Sequence, residues 1–452
     1  MFVDVKTDSI VVACGSIGYR SKHYKLDMIA SIPRCDFNFE NATGSENTKS
    51  ILVHASATTV VILVLAAFWV PIDVRGQSSY YNNADLFAHL APRALFGTVV
   101  KIIHVRWIGF ILLRQLFQTL WLFLIVFQLT RSLRSQKGSS LLEVSALSFL
   151  FGFNTVVFTT NGLSEFIDVV PYALVLCTVP LLLANDRDFT FTRRIIVTLL
   201  LLSAVMVHEK SVFDIAILTV WITWKYGIKR SAGLMLPSIV GSLCFLWLVA
   251  NRATHNISPV QHIKLVRSGL TFLFRESLNV WGIVLAGGVL WVIFAVCAWY
   301  FLKTKANYSV RGSITIMMMT LLCLAPLLVA VDTIRMVGVI WLPTVLLICD
   351  IDLKAALETV RFRQWAVGAC LIQLLLPPVL MYWGGAAPFN CYSRELVLRA
   401  LPPEKNFARI PMSNNNGLAP AVGPFGLYAL DRPDISDAIV CWPPQPIRFG
   451  VD

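Results

Sequence analysis

Long apolar runs, separated by short polar breaks, dominate the chain from Ile51 to Trp383. "ILVHASATTVVILVLAAFWV" (51–70), "VWGIVLAGGVLWVIFAVCAWYFL" (280–302) and "AVGACLIQLLLPPVLMYW" (366–383) are representative. Runs of about 20 residues are long enough, as helices, to cross a hydrocarbon layer of about 30 Å. The pattern predicts spans at 51–70, 106–128, 141–159, 167–184, 195–207, 211–225, 232–250, 280–302, 312–331, 335–349 and 366–384. The pairs 195–207/211–225 and 312–331/335–349 are separated by only a few residues, so each is either a tight helical hairpin or a helix broken at membrane depth. The expected fold class is all-α: a polytopic transmembrane helix bundle of about eleven spans, with a helical first outer loop and a small C-terminal extracytoplasmic lobe. The chain divides into an N-terminal segment (1–50), a transmembrane domain (51–384) and a C-terminal tail (385–452).

Composition agrees with this pattern. Of the 452 residues, 56% are apolar and 14% charged, and the mean hydropathy is +0.69, outside the range of a soluble domain. The net charge of +12 falls in loops rather than on a basic helix, which argues against nucleic acid as a partner. The loops "RSLRSQKGSS", "NDRDFTFTRR", "WKYGIKR", "KTKANYSVRG" and "DIDLKAALETVRFRQ" alternate with loops of lower positive charge. By the positive-inside rule they face the cytoplasm, which puts the N-terminus inside and the C-terminus outside. Residues 1–50 are mixed and polar, so the run from Ile51 reads as an uncleaved first span rather than a signal peptide.

Cys177, Cys244, Cys297, Cys323, Cys349 and Cys370 lie in apolar segments and act as small hydrophobes. Cys391 and Cys441 in the tail either close a loop of about 50 residues, a stabilisation on the order of 4 kcal/mol, or remain free thiols. Two of the three glycosylation-type triplets, at Asn41, Asn256 and Asn307, fall on the predicted cytoplasmic side and read as chance matches. The chain has no Walker loop, dinucleotide fingerprint, HExxH or GxSxG, so a soluble nucleotide-using domain is not expected.

The candidate chemistry lies on the predicted outer side. "MVHEKSVFD" sets His208, Glu209, Lys210 and Asp214 between two oily segments. "PIDVR" places Asp73 and Arg75 beyond the first span, and "NNADLFAHL" puts Asp85 and His89 on one face if helical. "NGLSEFID" carries Glu165 and Asp168, "VDTIR" carries Asp332 and Arg335, and Arg114 lies within the second span. Ionisable groups at such depths are costly and are functional candidates. Each also has a structural reading. Asp332 and Arg335 neutralise one another across a turn, Lys210 snorkels to the headgroups, Glu165 and Asp168 form a solvated loop, and Asp214 seals a helix contact.

In layout the chain resembles the GT-C class of integral-membrane glycosyltransferases. It has many spans, a first outer loop of helical character, and an acidic residue, Asp73 in "VPIDVR", shortly after the first span. It is also similar in size and span number to bacterial O-antigen polymerases and related envelope-polysaccharide proteins. The GT-C resemblance implies a polyprenyl-phosphate-linked sugar donor, a saccharide acceptor, and inverting transfer at the outer leaflet of a bacterial inner membrane. Asp73 would be the base, with Asp85 or Glu209 as the alternatives. Arg114 and Arg335 would hold the phosphate, with His208, Lys210 and Asp332 also contacting substrate. No cofactor is implied; a divalent metal is compatible with the chemistry but not required. Two other readings use the same residues: a transporter or flippase for a lipid-linked or anionic substrate, and a non-catalytic envelope-assembly scaffold. The predicted orientation is checked by a reporter active only outside the membrane: fused after Asp452 it is expected to be active, and fused in the "WKYGIKR" loop, silent.

Overall fold

Away from water, a chain segment must satisfy its own backbone hydrogen bonds, and a helix does so without a partner. The computed structural model describes residues 45–69, 95–134, 141–154, 156–157, 167–183, 190–253, 283, 287–328, 338–375, 379–382 and 385–388. These are almost entirely helical. In chain order the helices are α1 (Ser45–Trp69), α2 (Leu95–Ile102), α3 (Trp107–Arg134), α4 (Leu141–Gly152), α5 (Val169–Leu183), α6 (Phe191–Val207) and α7 (Ser211–Tyr226). They continue with α8 (Ile228–Ala253), α9 (Val289–Thr304), α10 (Val310–Leu324), α11 (Trp341–Asp350), α12 (Leu353–Thr359) and α13 (Phe362–Leu375). The turn between α6 and α7 is tight, as one of the two readings of that pair requires, and α2 gives part of the first loop helical character.

Local signals account for several boundaries. The Thr190 side chain accepts a hydrogen bond from the Arg193 amide at the start of α6, and Ser309 does the same for Gly312 at the start of α10 (3.1 Å). α7 ends at Gly227, whose φ of 81° suits a residue without a Cβ. The last predicted span, 366–384, is not one helix: α13 stops at Leu375, and Val379–Tyr382 (β1) pairs antiparallel with Gly385–Pro388 (β2). The physical reason is Pro377–Pro378, which lack amide donors and push the preceding residue out of the helical region.

The core forms around α7 and α11. α7 packs against α5, α6, α8, α10 and α11, while α11 packs against α3, α7 and α9. Every residue of α11 from Trp341 to Cys349 is buried. Trp121 of α3, Tyr172 of α5 and Trp341 of α11 form a three-ring knot, with centroids 5.4 to 5.8 Å apart and Trp341 edge-on to both partners. Gly338, just before α11, lets the backbone approach Tyr172: a Cβ there would lie 2.9 Å from the Tyr172 Oη.

The periphery is apolar as well. Ile108, Leu112, Leu116 and Leu120 recur at four-residue spacing on α3 and are all exposed; Leu236, Val240, Leu243 and Trp247 are exposed on α8. Continuous stripes of this kind mark a surface that meets lipid or another protein. Three helical segments, Thr48–Ala67, Ile108–Leu133 and Ile228–Val249, are long and apolar enough to cross a membrane. Other apolar helices are shorter, including Val169–Leu182 and Val310–Leu324.

Replacing Trp341 with Ala is expected to lower stability by about 3–5 kcal/mol, because it empties the centre of the ring knot. Leu116→Ala, on the exposed stripe, should change it little. Thermal unfolding in detergent micelles compares the two.

Candidate functional site

Three helix ends converge at one pole of the bundle. α6 closes with the His208 amide donating to the Ala204 carbonyl (2.9 Å), and α7 opens with the Ser211 amide donating to the His208 carbonyl (3.0 Å). Only residues 208–210 separate the two helices, so their side chains are held by helical backbone on both sides. Asp168 immediately precedes α5 at the same pole.

Asp168 is the centre of the cluster. It is fully buried, as are Arg114 and Asp214, and His208 and Lys210 are nearly so. The Lys210 ammonium pairs with Asp168 Oδ1 and donates to Tyr172 Oη at 2.9 Å, lying 4.6 Å from the Tyr172 ring centroid. His208 Nε2 faces Asp168 Oδ1 at 3.5 Å, and Arg114 interacts electrostatically with the same carboxylate. The Lys210 amide donates to His208 Nδ1 at 3.3 Å, which leaves the ring hydrogen on Nε2, toward Asp168. Glu209 Oε2 lies 3.5 Å from the same Nδ1, and its side chain is 35% exposed. One turn into α7, Asp214 is coupled electrostatically to Lys210 and Asp168, and neither of its carboxylate oxygens has a hydrogen-bond partner among the described residues.

The opposite pole is held by different contacts. Lys225 at the end of α7 pairs with Asp350 at the end of α11 (2.8 Å). The Arg311 guanidinium donates to the carbonyls of Thr223 and Trp224, both at 2.8 Å. Tyr226 Oη donates to the Leu182 carbonyl (3.2 Å), and Arg193 Nε to that of Leu181. Arg193, Lys225 and Arg311 belong to the basic loops expected at the cytoplasmic face, so the two poles divide by chemistry.

Of the residues singled out in the sequence, Arg114, Asp168, His208, Glu209, Lys210 and Asp214 are brought together. Asp73, Asp85, Asp332 and Arg335 lie outside the described residues. Two structural readings are corrected. Asp168 is not part of a solvated loop but the buried counter-charge of the site, because Lys210 and Arg114 need it there. Lys210 does not snorkel: Asp168 and Tyr172 hold it inside. Sequence reasoning named Asp168 without its pairing to Lys210, and missed Tyr172. The signal available was an acid one residue ahead of the apolar run "VVPYALVL", together with a buried cation that required a counter-ion.

Chemically, the cluster joins a surface-reaching carboxylate (Glu209), an imidazole with carboxylates at both nitrogens, and two buried cations. Among the described residues, no three His, Cys, Asp or Glu side chains are grouped to hold a metal ion. No known protein family, curated protein or solved structure matches this chain.

Breaking a buried ion pair from one side leaves an uncompensated charge, so Lys210→Met and Asp168→Leu are each expected to cost about 3–5 kcal/mol. The double variant should lose less than the sum, with coupling of about 0.5–3 kcal/mol. A double-mutant cycle of unfolding in mixed micelles measures it; additive losses would remove Asp168 from its central role.

Proposed function

We propose that the chain is an integral membrane glycosyltransferase or polysaccharide polymerase of about eleven spans. It takes a sugar from a polyprenyl-phosphate donor at the outer leaflet of a bacterial inner membrane, with its N-terminus cytoplasmic and its C-terminus outside. The observation that carries the reading is the His208–Glu209–Lys210 turn. It sets a partly exposed carboxylate beside an imidazole, with two buried cations behind them. Lipid-phosphate chemistry needs such a pairing: a base for the acceptor hydroxyl, and positive potential for the phosphate leaving group.

Depth supports the same reading. From Lys210 to Lys225 the chain rises about 22 Å at 1.5 Å per residue, less than the hydrocarbon thickness of about 30 Å. Arg114 lies about 10 Å along α3 from Trp107. A polar pole set below the ends of the long helices α1, α3 and α8 would suit a lipid-linked phosphate.

In the proposed reaction Glu209 takes the proton of the acceptor hydroxyl. The acceptor oxygen bonds to the anomeric carbon as the bond from that carbon to the donor phosphate oxygen breaks. Polyprenyl phosphate leaves with the bonding electrons. Asp73 and Asp85 are alternative bases. Arg335 and Asp332 contact the donor, while Arg114 and Lys210 supply positive potential from within the bundle. A transporter or flippase remains the second reading, favoured by Asp214, which extends the polar groups deeper than a surface enzyme requires.

The test is turnover of polyprenyl-phosphate sugars by purified protein in liposomes. Glu209→Gln is expected to lower kcat by about 10²–10⁴-fold. Unchanged turnover in Glu209→Gln, Asp73→Asn and Arg335→Ala together would sink the transferase. Donor crossing the bilayer without sugar transfer would establish the second reading.

A further inference from the structure

We propose that Asp214 is an intramembrane proton-binding site, loaded from the surface along Glu209, His208 and the Asp168–Lys210 pair. The proposal goes beyond the transferase reading and stands whether or not sugar is transferred.

Continuity is the first ground. Glu209 Oε2 lies 3.5 Å from His208 Nδ1, and His208 Nε2 lies 3.5 Å from Asp168 Oδ1. Asp168 pairs with Lys210, and both are coupled electrostatically to Asp214. The chain of titratable groups thus begins at a side chain that is 35% exposed and ends at one that is fully buried.

The second ground is Asp214 itself. Both its oxygens lack hydrogen-bond partners among the described residues, and so does the hydroxyl of Ser211, three residues earlier on the same helix. A carboxylate in that setting retains a large desolvation cost, which a bound proton relieves.

Charge balance is the third. Arg114 and Lys210 carry two positive charges, and Asp168 cancels one. One negative charge is then needed for neutrality, and two carboxylates, Glu209 and Asp214, are there to supply it. A single proton is shared between them, by way of His208. It resides either at the surface, with Asp214 ionised, or in the interior, with Glu209 ionised. The helices packed on α7 bring few other titratable groups to this pole: Asp168 and Tyr172 from α5, His208 at the end of α6, and Cys323 of α10, which is coupled to Asp214. α8 contributes the buried hydroxyls Ser238 and Ser242, and Cys349 of α11 stands next to Asp350 at the far pole.

Each transfer conserves charge. Protonated Glu209 gives its proton to His208 Nδ1, and His208 releases the one on Nε2 to Asp168. Lys210, which makes no hydrogen bond to Asp214 among the described residues, swings to it, protonates it and is reprotonated from Asp168 on its return. One proton has then moved from Glu209 to Asp214, one helical turn below Lys210 or about 6 Å, and His208 is left with its hydrogen on Nδ1, so a ring flip resets it before the next transfer.

Infrared difference spectroscopy of the full chain in phosphatidylcholine vesicles, with the proton as the only ligand, tests this. The wild type is expected to show a protonated-carboxyl stretch that shifts in D₂O, disappears in Asp214→Asn and returns in Asp214→Glu. Hydrogen–deuterium exchange of that band should slow by about tenfold or more in His208→Phe, which removes the relay step and leaves both carboxylates in place, while in Glu209→Gln the band itself should be lost, because Asp214 must then carry the balancing negative charge. The Glu209→Gln arm changes only a partly exposed side chain, so it reads the sharing of the proton even if Asp214→Asn fails to fold. A band that survives Asp214→Asn would overturn the proposal. So would a band unchanged in Glu209→Gln, exchange equally fast in His208→Phe, or a band abolished by NaCl, the mark of a sodium site.

Discussion

A buried charge must be met by another charge, and in this bundle Asp168 meets two. Its carboxylate lies where Lys210 and Arg114 would otherwise be isolated in a medium that solvates ions poorly. That requirement fixes the start of α5 against the α6–α7 turn and against a point about one-quarter of the way along α3. Tyr172, one turn into α5, hydrogen-bonds the same ammonium and belongs to the Trp121–Trp341 ring knot. Electrostatic and aromatic packing therefore enforce one arrangement, and the site is rigid because the core is.

α7 carries the consequences from one pole to the other. At its first turn it holds the Asp168 cluster, and at its last Lys225 pairs with Asp350. The two poles use charge differently. At the first, ions are sealed among aromatic rings and helix ends. At the second, cations bond backbone carbonyls and a carboxylate that are only partly buried. A helix of 16 residues is too short to bring both poles into water across a full hydrocarbon layer. The long helices α1, α3 and α8 accompany the shorter α7 and α11, and the proposed chemistry relies on that difference in length.

The apolar exterior has the same physical origin as the polar interior. Leucines and isoleucines at four-residue spacing on α3 face outward, while Arg114, Gln118 and Trp121 of that helix are buried. This inverts the soluble pattern and is what a helix between lipid and a polar bundle interior must show.

The sequence alone determined the helices and much of the suspicion about the site. Long apolar runs without internal proline pairs favour helices, so α1, α3, α5, α6, α7 and α8 were legible, with ends displaced by up to six residues. The prolines that end α13 were also visible, though their effect on the last span was not drawn. His208, Glu209, Lys210 and Arg114 were legible because ions in oily segments are conspicuous. The burial of Asp168 and the roles of Tyr172 and Trp341 were not. An acid next to a loop looks solvated, and aromatic residues in an apolar run look like any other core. Only the tertiary structure could decide that these residues, 38 positions apart between Tyr172 and Lys210, meet. Hydropathy is a property of a segment, whereas the pairing of a charge depends on which segments pack together.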